Sequence, residues 1–356
     1  MNTITQSAPS SATNINASTA SEQQAQFDSQ YPLVLEAKNL TIDFRKKRSS
    51  FFGPKEYLRA LNGLDFQLRA GRCVALVGES GCGKSTSAKI ATKIHKASEG
   101  AIYYKGENID TLTRSEQLAE YRREVQMVFQ DPFSSLNPLH TIRYHLQRPL
   151  QIHHQLKPGK AMDEMLVELL TKVGLTPAKE VLEKFPHQLS GGQRQRVFLA
   201  KTLAIGAEVI LADEPTSMLD VSIRIGVLNL MNEMKHEMGK AFLYITHDIA
   251  TARYFSEDII VLYCGHMVEW GSTEAVTQNP QHPYTQLLLA AVPDPSRSIH
   301  EKLPTQRSME TPMWSPEHKG CPYAARCPKA MAQCSQGLPE PKELEPGHFI
   351  RCHLFV

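Results

Sequence analysis

One nine-residue stretch constrains the chain more than any other: Gly78-Glu79-Ser80-Gly81-Cys82-Gly83-Lys84-Ser85-Thr86, a fit to G-x-x-x-x-G-K-[ST]-T. An apolar run over 73–77 leads into it, and a helix-compatible run over 85–95 leads out. Strand, glycine-rich loop, then helix is the order that makes a short pattern a phosphate cradle. Glycines let the backbone curl so that successive N–H groups aim at phosphate oxygens. The helix start adds unpaired donors and the positive end of its dipole. Lys84 is expected at the β- and γ-phosphates of a nucleoside triphosphate, and the Ser85 hydroxyl on Mg²⁺. A glycine-rich turn that happens to hold a lysine is the plainer explanation, and the flanking strand and helix weigh against it.

At 356 residues the chain has room for a substantial core and two or three domains. A net charge of +2 gives no case for a nucleic-acid partner. No run approaches the roughly 18 apolar residues of a membrane span, so a membrane role is expected to come through a partner. Residues 1–32 are rich in Ser, Thr, Asn, Gln and Ala and lack a basic start and an apolar core. They read as a disordered tail rather than a secretory signal. Cys73, Cys82 and Cys264 are scattered, one of them inside the phosphate loop, whereas Cys321, Cys327, Cys334 and Cys352 crowd the end. A free thiol in a nucleotide site suits a reducing compartment, so the cytosol is expected.

Further candidates follow along the chain. Residues 33–37 and 40–44 look like strand segments, 45–55 is basic and irregular, and 61–68 resumes strand alternation. Phe44 has the plane to stack on an adenine, although a phenylalanine at a strand end equally suits a core. A hairpin is expected over 98–108, and a buried strand over 125–129 ends at Gln130. A side-chain amide there has an acceptor for Mg²⁺; taken alone, a solvated loop glutamine fits as well. Residues 136–183 turn helical, with Met162, Met165, Leu166, Leu169 and Leu170 spaced for one face. Leu189-Ser190-Gly191-Gly192-Gln193 then opens another helix. Ser190 reads as its N-cap, and the glycines allow close approach to an anion. The apolar run 209–212 delivers Asp213 and Glu214 at its carboxyl end, where doubly wound sheets bind ligands. Asp213 is expected to hold Mg²⁺ through water, and Glu214 to act as general base toward the attacking water. A further strand over 241–246 ends in His247, placed to donate to a γ-phosphate oxygen; a lone histidine is more commonly core or surface.

In this order the motifs resemble the ATP-binding cassette (ABC) family: Walker A at 78–86, the Q-loop at Gln130, the signature at 189–193, Walker B at 209–213 with Glu214, and the H-loop at His247. Ser217-Met218-Leu219-Asp220 resembles the D-loop, with Met where Ala is usual, and Phe44 falls at the A-loop position. The likeness is narrower still to the dipeptide/oligopeptide importer ATPases, F-type, on the Q-loop residues 129–138, Phe185-Pro186-His187-Gln188, and the later stretches 282–285, 291–295, 320–322 and 326–328. It implies a P-loop α/β fold: a RecA-like core with an antiparallel β-subdomain and a helical subdomain near 136–204, spanning 33–272. A small Cys-rich extension over 273–356 would follow. It also implies a head-to-tail pair with a paralogous D-type ATPase, in which Ser190, Gly191, Gly192 and Gln193, with Asp220, serve the partner's nucleotide. Lys84, Gln130, Glu214 and His247 would carry hydrolysis of ATP, with Ser85, Gln130 and Asp213 on Mg²⁺. Two permease subunits, and indirectly a solute-binding protein, would place the chain on the cytoplasmic face of the membrane. Uptake of di- or oligopeptides is the expected work, with nickel or an oligosaccharide as alternative solutes and a non-transport cassette protein as the remote one.

The late cysteines read Cys-x5-Cys-x6-Cys-x17-Cys. Four thiolates suit zinc or an iron–sulfur cluster, and the chemistry alone equally allows no metal. The zinc-knuckle spacing Cys-x2-Cys is absent from this set. The importer resemblance tips the expectation toward a [4Fe–4S] cluster on Cys321, Cys327, Cys334 and Cys352, with zinc as alternative.

Overall fold

The computed structural model describes residues 25–46, 56–130, 136–292 and 314–356. The Q-loop residues 131–135, the basic stretch 47–55, residues 293–295 and most of the expected tail lie outside them. Alternating burial makes β1 (Leu33–Arg45) and β2 (Tyr57–Arg69) half-covered ribbons. They pair antiparallel. The two expected segments of β1 are one strand, and the break between them is a bulge at Asn39, whose φ is 49°. β3 (Cys73–Val77) is buried at every position, which suits a strand covered on both faces.

After the phosphate loop comes α1 (Lys84–Ala91), shorter than expected because the chain turns through Lys93 at φ 56°. β4 (Glu99–Tyr104) and β5 (Glu107–Asn108) form the expected hairpin and complete a four-stranded sheet in the order β2-β1-β4-β5. α2 (Ser115–Glu124) and β6 (Val125–Val128) return the chain to the core. A helical lobe follows: α3 (Ile142–His154), α4 (Lys160–Lys172), α5 (Ala178–Glu183) and α6 (Gly191–Ile205). On α4, Met162, Leu166, Leu169 and Leu170 are buried, but Met165 is exposed, because the face narrows to positions four and seven apart.

β7 (Val209–Asp213), α7 (Val221–His236), β8 (Ala241–Thr246), α8 (Ile249–Phe255) and β9 (Asp258–Tyr263) complete the α/β core. β6, β7, β8, β3 and β9 run parallel. Their carboxyl ends therefore share one edge, which brings the loop 78–86, Asp213-Glu214 and His247 together. β10 (His266–Ser272), α9 (Thr273–Gln278) and α10 (Pro283–Ala290) come next, and β11 (Lys342–Glu345) and β12 (His348–Ile350) close the chain. The second sheet has eight strands in the order β11-β12-β10-β9-β3-β8-β7-β6, so the terminal hairpin extends the core sheet. Trp270 stacks on Phe349 across β10 and β12 at 5.6 Å. Beside them the buried Glu269 accepts N–H bonds from Gln281 and His282, at 2.8 and 3.0 Å, and pairs with His348 at 2.9 Å.

Residues 25–32, expected to belong to a disordered tail, are ordered. Residues 25–30 are helical, and the guanidinium groups of Arg69 and Arg72 lie 5.2 and 5.1 Å from the Phe27 ring. Asp28 pairs with Arg69 at 2.8 Å, and two aromatics in a polar stretch are enough to anchor it.

Candidate active site

Gly83 sits at φ 103°, and a Cβ there would come within 2.2 Å of the Ala60 carbonyl oxygen. Only glycine fits both the turn and the approach of β2. The turn drops straight into α1, so the buried Lys84 folds back and its Nζ donates to the carbonyls of Gly78 and Glu79 at 2.7 and 2.8 Å. Its ammonium is thereby held over the concave side of the loop. Cys82 is buried 3.8 Å from that ammonium. Burial pushes the Cys82 thiol up, outweighing the nearby Lys84 charge, so it fills space as a neutral group.

Ser85 Oγ donates to Asp213 Oδ1 at 2.9 Å, so two of the three expected Mg²⁺ ligands meet. Burial raises the Asp213 carboxyl pKa and the neighbouring Glu214 adds to it, while the Ser85 hydroxyl opposes. A divalent cation at this point would favour the ionised form. Glu214 occupies the left-handed region at φ 46°, rare for a residue with a side chain. Its N–H donates to the Ile245 carbonyl at 2.8 Å, which ties the strained turn to β8. Gln130 Nε2 donates to Glu214 Oε2 at 3.0 Å, and His247 Nδ1 lies 3.2 Å from Glu214 Oε1.

Gly78, Glu79, Gly83, Lys84, Ser85, Gln130, Glu214 and His247 line one cleft of about 680 Å³, together with Phe44, Ser80, Gly81 and Thr86, and Asp213 stands behind Ser85 through their hydrogen bond. The groups present can hold phosphates (backbone N–H groups and Lys84), a divalent cation (Ser85 and Asp213) and a water (Glu214). Such a constellation performs phosphoryl transfer to water.

The chain is similar to known proteins in sequence and in fold. The family described as ABC transporter matches residues 61–217, and the oligopeptide/dipeptide transporter C-terminal region matches 268–334. The oligopeptide transport ATP-binding protein AppF of Bacillus subtilis is 38% identical over 325 residues, covering 90% of this chain and 97% of that protein. The dipeptide transport ATP-binding protein DppF of Haemophilus influenzae is 39% identical over 320 residues, 90% of this chain and 96% of its own. The chain belongs to the ABC transporter family. A solved ATP-binding cassette, the dimeric MJ0796 bound to ADP and Pi, matches 67% of this chain and 98% of its own, with 31% identity and a TM-score of 0.58. This ABC protein is thus an ATPase subunit of a transporter in the oligopeptide/dipeptide branch. Among the described residues no helix is long and apolar enough to cross a membrane.

The ABC signature opens α6 as a capping box. Ser190 Oγ accepts from the Gln193 N–H at 3.3 Å, and Gln193 Oε1 accepts from the Ser190 N–H at 3.0 Å. A Cβ on Gly192 would come within 2.1 Å of Ile223 Cγ2, so that glycine lets α6 lie against α7. Asp220 is the N-cap residue of α7. Neither Asp220 nor Ser190–Gln193 lines the cleft of this chain's own phosphate loop. The four tail cysteines lie within electrostatic range of one another. Burial pushes the Cys321 thiol up to about 12, and Cys352, Cys334 and Cys327 each add to the shift. Among the described residues, however, no group of three or more His, Cys, Asp or Glu side chains is gathered to hold a metal. The expected cluster is therefore not shown by the side-chain arrangement.

Two cleft-side residues escape sequence reasoning. Tyr284 Oη accepts the Glu79 N–H at 2.9 Å, and Arg326 engages both Glu79 carboxylate oxygens, at 2.7 and 2.9 Å. Both fall in stretches of the importer resemblance, 282–285 and 326–328, but nothing local gives either a role at the cleft, since that role lies in contacts made across the sequence.

Proposed function

We propose that this chain is the F-type ATPase of a di- or oligopeptide importer and binds a paralogous D-type ATPase head to tail. In that assembly each Walker A loop is closed over its ATP by the signature of the other subunit. The observation that carries the reading is that Ser190–Gln193 cap a helix whose start lies outside this chain's own cleft. An anion-seeking helix start without an anion site of its own suits one in trans. Glu214, held by Gln130 and His247, takes a proton from the attacking water, and Lys84 neutralises phosphate charge; Ser85, Asp213 and Gln130 would hold a Mg²⁺ ion, which would supply further charge neutralisation. The ATPase domain spans 33–272 and the extension 273–356; the assembly includes two permease subunits, and Gln130 with the helical lobe around 136–183 meets a permease coupling helix at the cytoplasmic face. A solute-binding protein feeds the permease from the other side.

The donor chemistry of Cys321, Cys327, Cys334 and Cys352 fits a thiolate-held metal, and we assign them to a [4Fe–4S] cluster, or to zinc. When bound it would staple a segment poor in apolar residues.

Gly191→Asp tests the head-to-tail reading. A Cβ at Gly191 meets only Leu219, at an ordinary 3.4 Å. The variant chain should bind ATP as the wild type does, while the assembled transporter loses turnover and peptide uptake. Undiminished turnover would refute the trans arrangement.

A further inference from the structure

Arg326 lies 247 residues beyond Glu79, yet its two terminal nitrogens hold both oxygens of that carboxylate, at 2.7 and 2.9 Å. The pair is parallel and bidentate, the geometry in which Arg outperforms Lys. Arg326 is 5% exposed. Its guanidinium also donates to Tyr263 Oη at 3.2 Å and lies 5.5 and 5.8 Å from the rings of Tyr263 and Tyr323. Tyr263, Tyr284 and Tyr323 pack against one another with centroids 4.7 to 5.3 Å apart. Tyr284 Oη accepts the Glu79 backbone N–H. Both the main chain and the side chain of Glu79 are thus held by residues that follow the core sheet in sequence.

Glu79 is the first variable residue of the phosphate loop and borders the nucleotide cleft. A carboxylate at that place repels a triphosphate unless a cation answers it. We infer that Arg326 is a positioning residue for the nucleotide site, cancelling the Glu79 charge and fixing the first turn of the loop for a triphosphate. The C-terminal segment is then a strap on the loop rather than an appendage. Its two attachments divide the work: Tyr284 sets the backbone and Arg326 sets the charge. The inference rests on reading the cleft as the triphosphate site.

The test is titration of the full chain with N-methylanthraniloyl-ATP, with thermal melting in parallel, for wild type, Arg326→Ala, Arg326→Lys, Glu79→Gln and the Glu79→Gln/Arg326→Ala double variant. Arg326→Ala should weaken binding about tenfold, because the Glu79 carboxylate beside the phosphates loses its bidentate guanidinium. Arg326→Lys should recover only part of the loss, since it supplies charge without the fork. The double variant should return to within about threefold of wild type, because the repelling charge is gone. Arg326→Ala at wild-type affinity overturns the inference, and so does a double variant as weak as Arg326→Ala, which would mean packing alone. If Arg326→Ala melts out before it can be titrated, Arg326→Lys decides: weaker binding supports the inference and equal binding refutes it. Failure of the wild-type chain to bind the probe would count against the triphosphate reading itself.

Discussion

Gln130 and His247 grip opposite oxygens of Glu214, the amide nitrogen 3.0 Å from Oε2 and Nδ1 3.2 Å from Oε1. The carboxylate is held by two neutral-capable donors on a turn whose φ of 46° is unusual for a side-chain-bearing residue. Glu214→Gln keeps the shape of the group and removes its ability to take a proton. Steady-state phosphate release by the assembled transporter should fall about 10²–10⁴-fold. ATP affinity should stay within about threefold, measured by titration. Unaltered hydrolysis would place the general base elsewhere.

Phe44 stands at the wall of the cleft, its ring edge-on to His95 at 5.3 Å. Stacking on adenine needs a flat face at that place and no particular polar group. Phe44→Ala should weaken ATP binding by roughly fivefold to tenfold, in line with about 1 kcal/mol for an aromatic contact. Phe44→Tyr should bind as wild type. Comparing ATP with inorganic triphosphate isolates the effect, because the base-free ligand should be indifferent to both changes.

Acid should destabilise the fold before it touches most carboxylates. His282 caps α10, its Nδ1 accepting the Tyr284 N–H at 3.1 Å, and burial pushes its pKa down to about 3. His266 is pushed down to about 4, by burial first and then by the charges of Arg351 and Arg59, against the opposing Cys264 carbonyl. In both, the unfolded ring takes its proton near pH 6.5 while the folded ring resists. The stability is therefore complete above pH 6.5 and is lost as pH falls toward 4, at up to about 1.4 kcal/mol per pH unit per histidine. Melting temperatures between pH 7.5 and 5 should show the decline. His282→Asn keeps a capping acceptor and should flatten the slope by one proton.

Metal analysis addresses the tail. Protein purified without oxygen should be brown and carry about four irons per chain, and Cys334→Ser should lose the colour. Zinc at about one per chain would select the alternative. Metal-free, colourless protein that melts as the loaded protein does would retire the assignment.

The centre of this site was readable because its pieces are local. Walker A carries its own glycines, lysine and helix start within nine residues, and Asp213 and Glu214 announce themselves after an apolar strand. Phe44, Gln130 and His247 were ambiguous one by one, since each residue type has a commoner use. Parallel order of β6, β7, β8 and β3 brings Gln130 and His247 to the edge that holds the phosphate loop, and Phe44 reaches the cleft from β1 of the other sheet. Arg326 was invisible for the opposite reason. Its meaning is a contact with Glu79 across 247 residues, and no window of sequence contains both ends. Met165 and the helical stretch 25–30 show the same limit on a smaller scale, because the width of a buried face and the docking of Phe27 depend on neighbours that periodicity does not name.

The hairpin at the chain's end lends β12 to the open side of β10. During synthesis, then, the parallel strands are all off the ribosome while that flank still lacks its last neighbour, with bare amide and carbonyl groups beside Trp270. A stop codon between Ser272 and Lys342 would leave the nucleotide-binding residues of the core present but β10 without β12 beside it. Such a fragment should clump rather than work at reduced strength, so the β11–β12 hairpin guards the sheet during manufacture as well as in the finished fold.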